Sequence, residues 1–218
     1  MRTSELFKKE INYIDNEHLK DIVVETLDSA PECIVHIPAS SSGKYHPVYS
    51  LGEGGLMRHI KAAVSIAHSL ISTDIFKNFI FDSDIDSEPS LQDIVAYADV
   101  AYAALILHDC CKPDNTSKHR TQFDHPLKAS ELFVKTAKEY LKNNNVSSKD
   151  MQYFKIVIPA IKSAIASHMG QFNTAPYAKG IVLPTPRTPI EKFVHLLDFL
   201  ASRKFLIFDF DVYEEVDR

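Results

Sequence analysis

Metal-type ligands recur along this chain at places where a helix would normally present only apolar side chains. They are His59 in GGLMRH, His108 and Asp109 in LILHDCCK, His125 in FDHPLKASEL, His168 in IASHMGQF and Asp198 in FVHLLDFLASRK. Four imidazoles and two carboxylates are enough donors for a site holding two metal ions, and nitrogen with carboxylate oxygen suits first-row transition metals. The residue types alone keep other roles open. A lone histidine on an apolar face can be a hydrogen-bonded core residue, Asp109 could pair with Lys112 or Arg203, and Asp198 could cap a neighbouring helix.

Spacing ties these donors to helices. Ile94, Ala98, Ala101, Leu105 and His108 recur at alternating steps of four and three, and Ile158, Ile161, Ile165 and His168 at three, four and three. Leu56, Ala63 and Ala67 share a face with His59, and Val194 and Ala201 share one with Asp198. Such stripes face a core. An ionised carboxylate in a core-facing stripe is costly unless it is paired or binds a cation. Two stripes end at a ligand, so helix ends are expected to converge on one pocket.

The order His, His-Asp, His, His, Asp resembles the HD superfamily of metal-dependent phosphohydrolases. The resemblance spans about residues 45–204 and is nearest to the HD domain of bacterial 3′-5′ exoribonucleases. It rests on Gly54-Gly55-Leu56-Met57-Arg58-His59, His108-Asp109-Cys110-Cys111-Lys112, Ser167-His168-Met169-Gly170 and Glu191 to Lys204. The resemblance implies a single all-α HD-domain helical bundle. Residues 1–44 would add short N-terminal helices and a loop, and 205–218 an acidic and apolar tail. It implies two divalent ions (Mn, Fe, Ni, Zn or Mg), the first on His59, His108, Asp109 and Asp198. Asp109 would bridge to the second, held also by His125 and His168. The implied activity is hydrolysis of a phosphate monoester or diester, of a nucleotide or short oligonucleotide, with Asp109 and Lys112 as catalytic residues. No nucleic-acid-binding β-barrel precedes the region in this sequence, so long RNA is not the expected substrate. Two other readings stay open: an HD-type di-iron oxygenase, and a non-catalytic HD module that binds a nucleotide or a partner.

Lys112, three residues past the pair, Arg203, His46 and Arg120 are candidates for substrate contacts. Phe123, Phe172 or Tyr177 could stack on a base. His195, one turn before Asp198, could orient a ligand, and Cys110 and Cys111 are expected to pack.

The remaining composition sets limits. With 218 residues, 45% of them hydrophobic, the chain fits one well-packed domain. A net charge of −5 argues against a broad grip on nucleic-acid backbones. Three cysteines, two adjacent, make no disulfide framework, and a reducing cytoplasm is expected. No run is long enough to span a bilayer. Oligomeric state stays open.

Helices are expected at about 4–29 (one or two), 56–72, 90–109, 125–141, 148–168 with a bend at Pro159, and 189–204. Loops are expected at 31–50, 82–89, 113–124 and through the Pro-rich 171–189; the 82–89 run lacks the glycine and terminal glutamate of a calcium loop. The tail after 204 is expected as a short strand, an extended arm or a partner contact.

Overall fold

The computed structural model describes residues 2–40, 43–44, 46–81, 89–113, 121–178 and 180–210. Among these the fold is all-α, with no strand. The helices are α1 (Lys8–Asn12), α2 (Glu17–Ser29), α3 (Gly55–Ile71), α4 (Asp74–Ile80), α5 (Leu91–Leu107), α6 (His125–Asn143), α7 (Ser148–Ser167) and α8 (Pro189–Ala201). Short 3-10 turns lie at Thr3–Phe7, Glu32–Val35, Val48–Ser50 and Gly170–Phe172.

Helix α5 is the axis of the molecule. Ser90 and Asp93 form a capping box at its start. From Ala98 to Leu107 every residue is buried, and the helix packs against α1, α2, α3, α7 and α8. Ala98, Ala101, Ala103 and Ala104 keep its girth small, so neighbours approach on all sides. One charge lies within this stretch. Asp99 is 1% exposed and accepts from the backbone N–H groups of Asp15 and Asn16 and from the Tyr153 hydroxyl. It thereby ties the start of α2 and the α7 helix to the axis. Burial raises its pKa, against those hydrogen bonds.

A single core runs from Phe7, Leu19 and Ile34 through Leu56, Ile60 and Phe133 to Phe154, Phe193 and Leu197. The N-terminal helices share it. Tight backbone contact sets where α3 begins: a Cβ on Gly55 would stand 2.3 Å from the Ser50 carbonyl oxygen. Arg58 locks the same loop, donating to the carbonyls of Tyr49, Leu51 and Glu53.

The elements differ from the sequence expectations in two places. Helix α4, capped by the Thr73 hydroxyl, was not expected, because seven residues are too few for a clear period. Helix α8 stops at Ala201; the described tail residues beyond it, to 210, form no strand, and Phe208 and Phe210 lie against the ring of Tyr49. The N-terminal region holds a 3-10 turn and two helices, within the expectation of one or two. Helix α7 runs as one helix through Pro159 to Ser167, close to the expected 148–168, and proline removes one backbone N–H donor there. The expected loop at 82–89 lies outside the described residues as far as 88, as do 114–120 of the 113–124 loop and 211–218 of the tail. No described helix is long and apolar enough to cross a membrane.

Candidate metal centre

Three helix ends and two helix faces deliver the six candidate ligands to one place. His59 stands in the second turn of α3, and Asp198 in the last turn of α8. His108 caps the C-terminus of α5 and Asp109 follows it; His168 caps the C-terminus of α7; His125 opens α6. The C-terminal ends of α5 and α7 turn their carbonyl dipoles toward the cluster, a field that favours a cation. All four histidines and Asp109 are buried, whereas Asp198 keeps 18% of its side chain exposed at the cavity wall.

Three of the histidines are anchored alike. Nδ1 of His108 lies 2.7 Å from the Leu105 carbonyl, Nδ1 of His125 2.6 Å from that of Gln122, and Nδ1 of His168 2.8 Å from that of Ile165. A carbonyl only accepts, so each Nδ1 carries the hydrogen, and in the neutral ring Nε2 is left as a lone-pair donor for a metal. This fixes tautomer and ring direction together.

The ring nitrogens and carboxylates converge and pair only in part. His59 Nε2 is 2.9 Å and His108 Nε2 3.5 Å from Asp198 Oδ1, and His108 Nε2 is also 3.5 Å from Asp109 Oδ2. On the other side of the Asp109 carboxylate, Oδ1 stands 2.9 Å from His125 Nε2 and 3.6 Å from His168 Nε2, which are 3.3 Å from each other. Despite these short distances, His108 Nε2 and Asp109 Oδ1 are buried with no hydrogen-bond partner, as are Nδ1 of His46 and Nδ1 of His59. Buried polar atoms are nearly always paired. His59, His108 and Asp198 form one group that could hold a metal ion, and His108, Asp109 and His168 form another. The donor set fits such an ion in its chemistry and burial, and in the two facing atoms, His108 Nε2 and Asp109 Oδ1, that have no partner.

Electrostatics agree. Burial alone would raise the Asp109 pKa, but Lys112 and His108 hold it well below the usual carboxylate range. Asp198 is held down likewise by His108 and His59. Burial opposes a charge on His108, yet Asp109 and Asp198 outweigh it and lift the pKa to about 10. Burial lowers the pKa of His125, against Asp109.

A cavity of about 620 Å³ opens on the cluster. Lys112 lines it and binds Asp109 Oδ2 at 2.6 Å. Arg203 lines it with its guanidinium 4.0 Å over the Phe199 ring, donating to the Phe199 carbonyl and the Ser202 hydroxyl. His46 lines it as well, its pKa lowered to about 4 by burial and by His59 and Lys112. Arg120 and its neighbour His119 lie outside the described residues. Cys110 and Cys111 are buried in the core.

His195 acts on His168 through the backbone. Its Nδ1 donates to the His168 carbonyl at 2.6 Å, and its Nε2 lies 2.8 Å from the Gln171 side chain. Its ring fills the space over Gly170, where a Cβ would come within 2.2 Å of it; Gly170 also has φ +53°. The Ser-His-Met-Gly spacing carried a signal for this contact, since a glycine two residues past a ligand marks a left-handed turn or a close approach. Met169, Thr174, Ala175, Phe199 and Ser202, which complete the cavity, had no sequence signal. No protein-family model, curated protein or solved structure matches the chain, so its chemistry rests on this geometry.

Proposed function

We propose that this protein is a metal-dependent phosphohydrolase with a dinuclear centre, acting on a phosphate ester of the nucleotide or short-oligonucleotide class. One observation carries the reading: His108 Nε2 and Asp109 Oδ1 are buried without a hydrogen-bond partner, and imidazoles stand on both sides of the Asp109 carboxylate. In it, His59, His108, Asp109 and Asp198 would hold one ion, and Asp109, His125 and His168 would hold the other. This agrees with the HD-type arrangement that the motif order implies.

A bound divalent pair supplies an activated water at neutral pH and neutralises charge on the phosphoryl oxygens. The chain's own groups do the rest. The Nδ1 bonds hold three imidazoles rigidly, so no reorganisation is needed when charge develops. Lys112 lines the cavity beside Asp109, within reach of an equatorial phosphoryl oxygen. Arg203 adds a second positive charge on the same wall.

The experiment is elemental analysis of protein purified without chelators, joined to a phosphate-ester screen with added manganese, nickel, iron or magnesium. Two metals per chain with hydrolysis is the expected result. One metal per chain would move His125 and His168 from metal to substrate. No metal and no turnover would overturn the reading.

A further inference from the structure

The cavity over the metal-type cluster has a second, chemically different part. One part is ionic, made by the histidines, the two aspartates, Lys112 and Arg203; the other is lined by Phe123, Met169, Phe172, Ala175 and Tyr177. These apolar groups come mainly from the segment that follows His168. The segment is closed at its base: Leu183 N–H donates to the Asn173 carbonyl at 2.9 Å, and Asn173 Nδ2 donates back to the Leu183 carbonyl at 3.2 Å. It carries a small core of its own, in which Ala178 and Leu183 pack on Phe123, with Leu127, Met169 and Ala175 around them. It is thus a braced wall.

Two aromatic rings on this wall face water. Tyr177 is 70% exposed and Phe172 48% exposed, while Phe123 beneath is 8% exposed. Tyr177 and Phe123 meet at 90° with centroids 6.0 Å apart, so Phe123 steadies the tyrosine ring. Exposed aromatics beside an ionic pocket leave apolar area that a flat ring would cover well. The described residues lining the cavity include no asparagine, glutamine or glutamate, and its two carboxylates belong to the histidine cluster. Base edges are usually told apart by amides, carboxylates and free guanidinium groups, and Arg203 is committed to Phe199 and Ser202.

We infer that Tyr177 and Phe172 are the stacking residues of a ring-docking wall, and that this cavity takes phosphate esters bearing a flat ring with little discrimination among bases. The phosphate part of the inference rests on the reading of the site as a phosphohydrolase; the ring part rests on the wall alone.

The test is equilibrium titration of the full chain, in chelator so that no ligand is consumed, with the four common nucleoside monophosphates and with glycerol phosphate. Stacking contributes about 1–3 kcal/mol per base, so glycerol phosphate should bind about 5- to 150-fold more weakly than any nucleotide. The four nucleotides should agree within about 10-fold. Tyr177→Ala should close most of the gap and Tyr177→Phe should keep it. Phe172→Ala should narrow it. Equal binding of glycerol phosphate, one base preferred ~100-fold, an unaltered gap in Tyr177→Ala, or no nucleotide binding below about 10 mM would each overturn the inference. A separate hydrolysis assay keeps the two readings apart. Tyr177-dependent ring binding with no turnover under any metal leaves the wall and removes the phosphohydrolase. Turnover equal on ringed and ringless esters does the reverse.

Discussion

Asp109→Asn keeps the shape of the central side chain and removes its charge, and its consequences differ with and without metal. In chelator, the substitution strands Lys112, whose Nζ lies 2.6 Å from a carboxylate that is 1% exposed. Breaking a buried pair costs about 3–5 kcal/mol. Lys112 keeps 13% of its side chain exposed and can recover some hydration, which puts the cost near the lower end, ~3 kcal/mol. For a chain of this size each kcal/mol moves Tm by about 2–4 °C, so the variant should melt ~6–12 °C below wild type. Metal at about one hundred times its Kd adds ~2.7 kcal/mol to a protein that binds it only when folded. Wild type should therefore gain a further ~5–11 °C with manganese, while Asp109→Asn, without the bridging carboxylate, should gain little. The assay is a thermal melt of both proteins with chelator and with manganese. An equal metal increment in the two would refute the placement of Asp109 between the ions. A variant as stable as wild type in chelator would refute the energetic argument for the Lys112 pair.

Three further outcomes follow from particular contacts. His168→Ala should lower metal content from two ions per chain to one and remove most turnover; unchanged content by elemental analysis would break the two-ion arrangement. Gly170→Ala places a Cβ 2.2 Å from the His195 ring at φ +53°, so chemical denaturation should show a loss of at least ~2 kcal/mol, with weaker metal binding through the displaced His168 carbonyl. A neutral effect would mean that the ring has free room to move. Glu191 is buried, accepts from the Ser163 hydroxyl and the Arg187 and Thr188 N–H groups, and so joins α7 to the start of α8. Burial would raise its pKa, but these bonds lower it. Its stabilisation is thus present above the unfolded carboxyl pKa and is lost as pH falls through the lower folded value. Glu191→Gln should cost about 1–2 kcal/mol at neutral pH, and urea titrations should show that difference shrinking in acid; a difference independent of pH would contradict the assignment.

How far the site could be seen in the sequence depended on burial. His108 and His168 were legible because each closes an apolar stripe, and a stripe is periodic only when the core demands it. His125 was legible through Asp124-His125-Pro126, since proline at the first turn marks a helix start. Part of the cavity wall was legible, since Phe123, Phe172 and Tyr177 were candidates for stacking, but the rest was not. Met169, Phe199 and Ala175 are the same residue types that fill the core, and only their position near the ends of α7 and α8 makes them line a pocket. His195 was legible as a residue that could orient a ligand, but its route was not: its partner is a backbone carbonyl, which every residue has. The pairing of Asp109 with Lys112 could be guessed from the spacing of three, but the spacing could not say whether the pair would be buried.

That burial bears on what Lys112 can do. A surface lysine would exchange partners freely and contribute little. Here the carboxylate oxygen that holds Lys112 is the one that also faces His108, while the opposite oxygen faces His125 and His168. If these residues hold a cation beside His108, Asp109 Oδ2 would share its charge with it and hold the ammonium group less tightly. Lys112 would then turn toward an anion in the cavity when metal is present, and stay tethered to Asp109 when it is not. Lys112→Met should therefore leave the manganese increment in Tm within about 2 °C of wild type while raising the Kd for glycerol phosphate in the metal-loaded protein about 10-fold. Loss of metal binding in Lys112→Met would instead make the lysine part of the scaffold that holds the ligands.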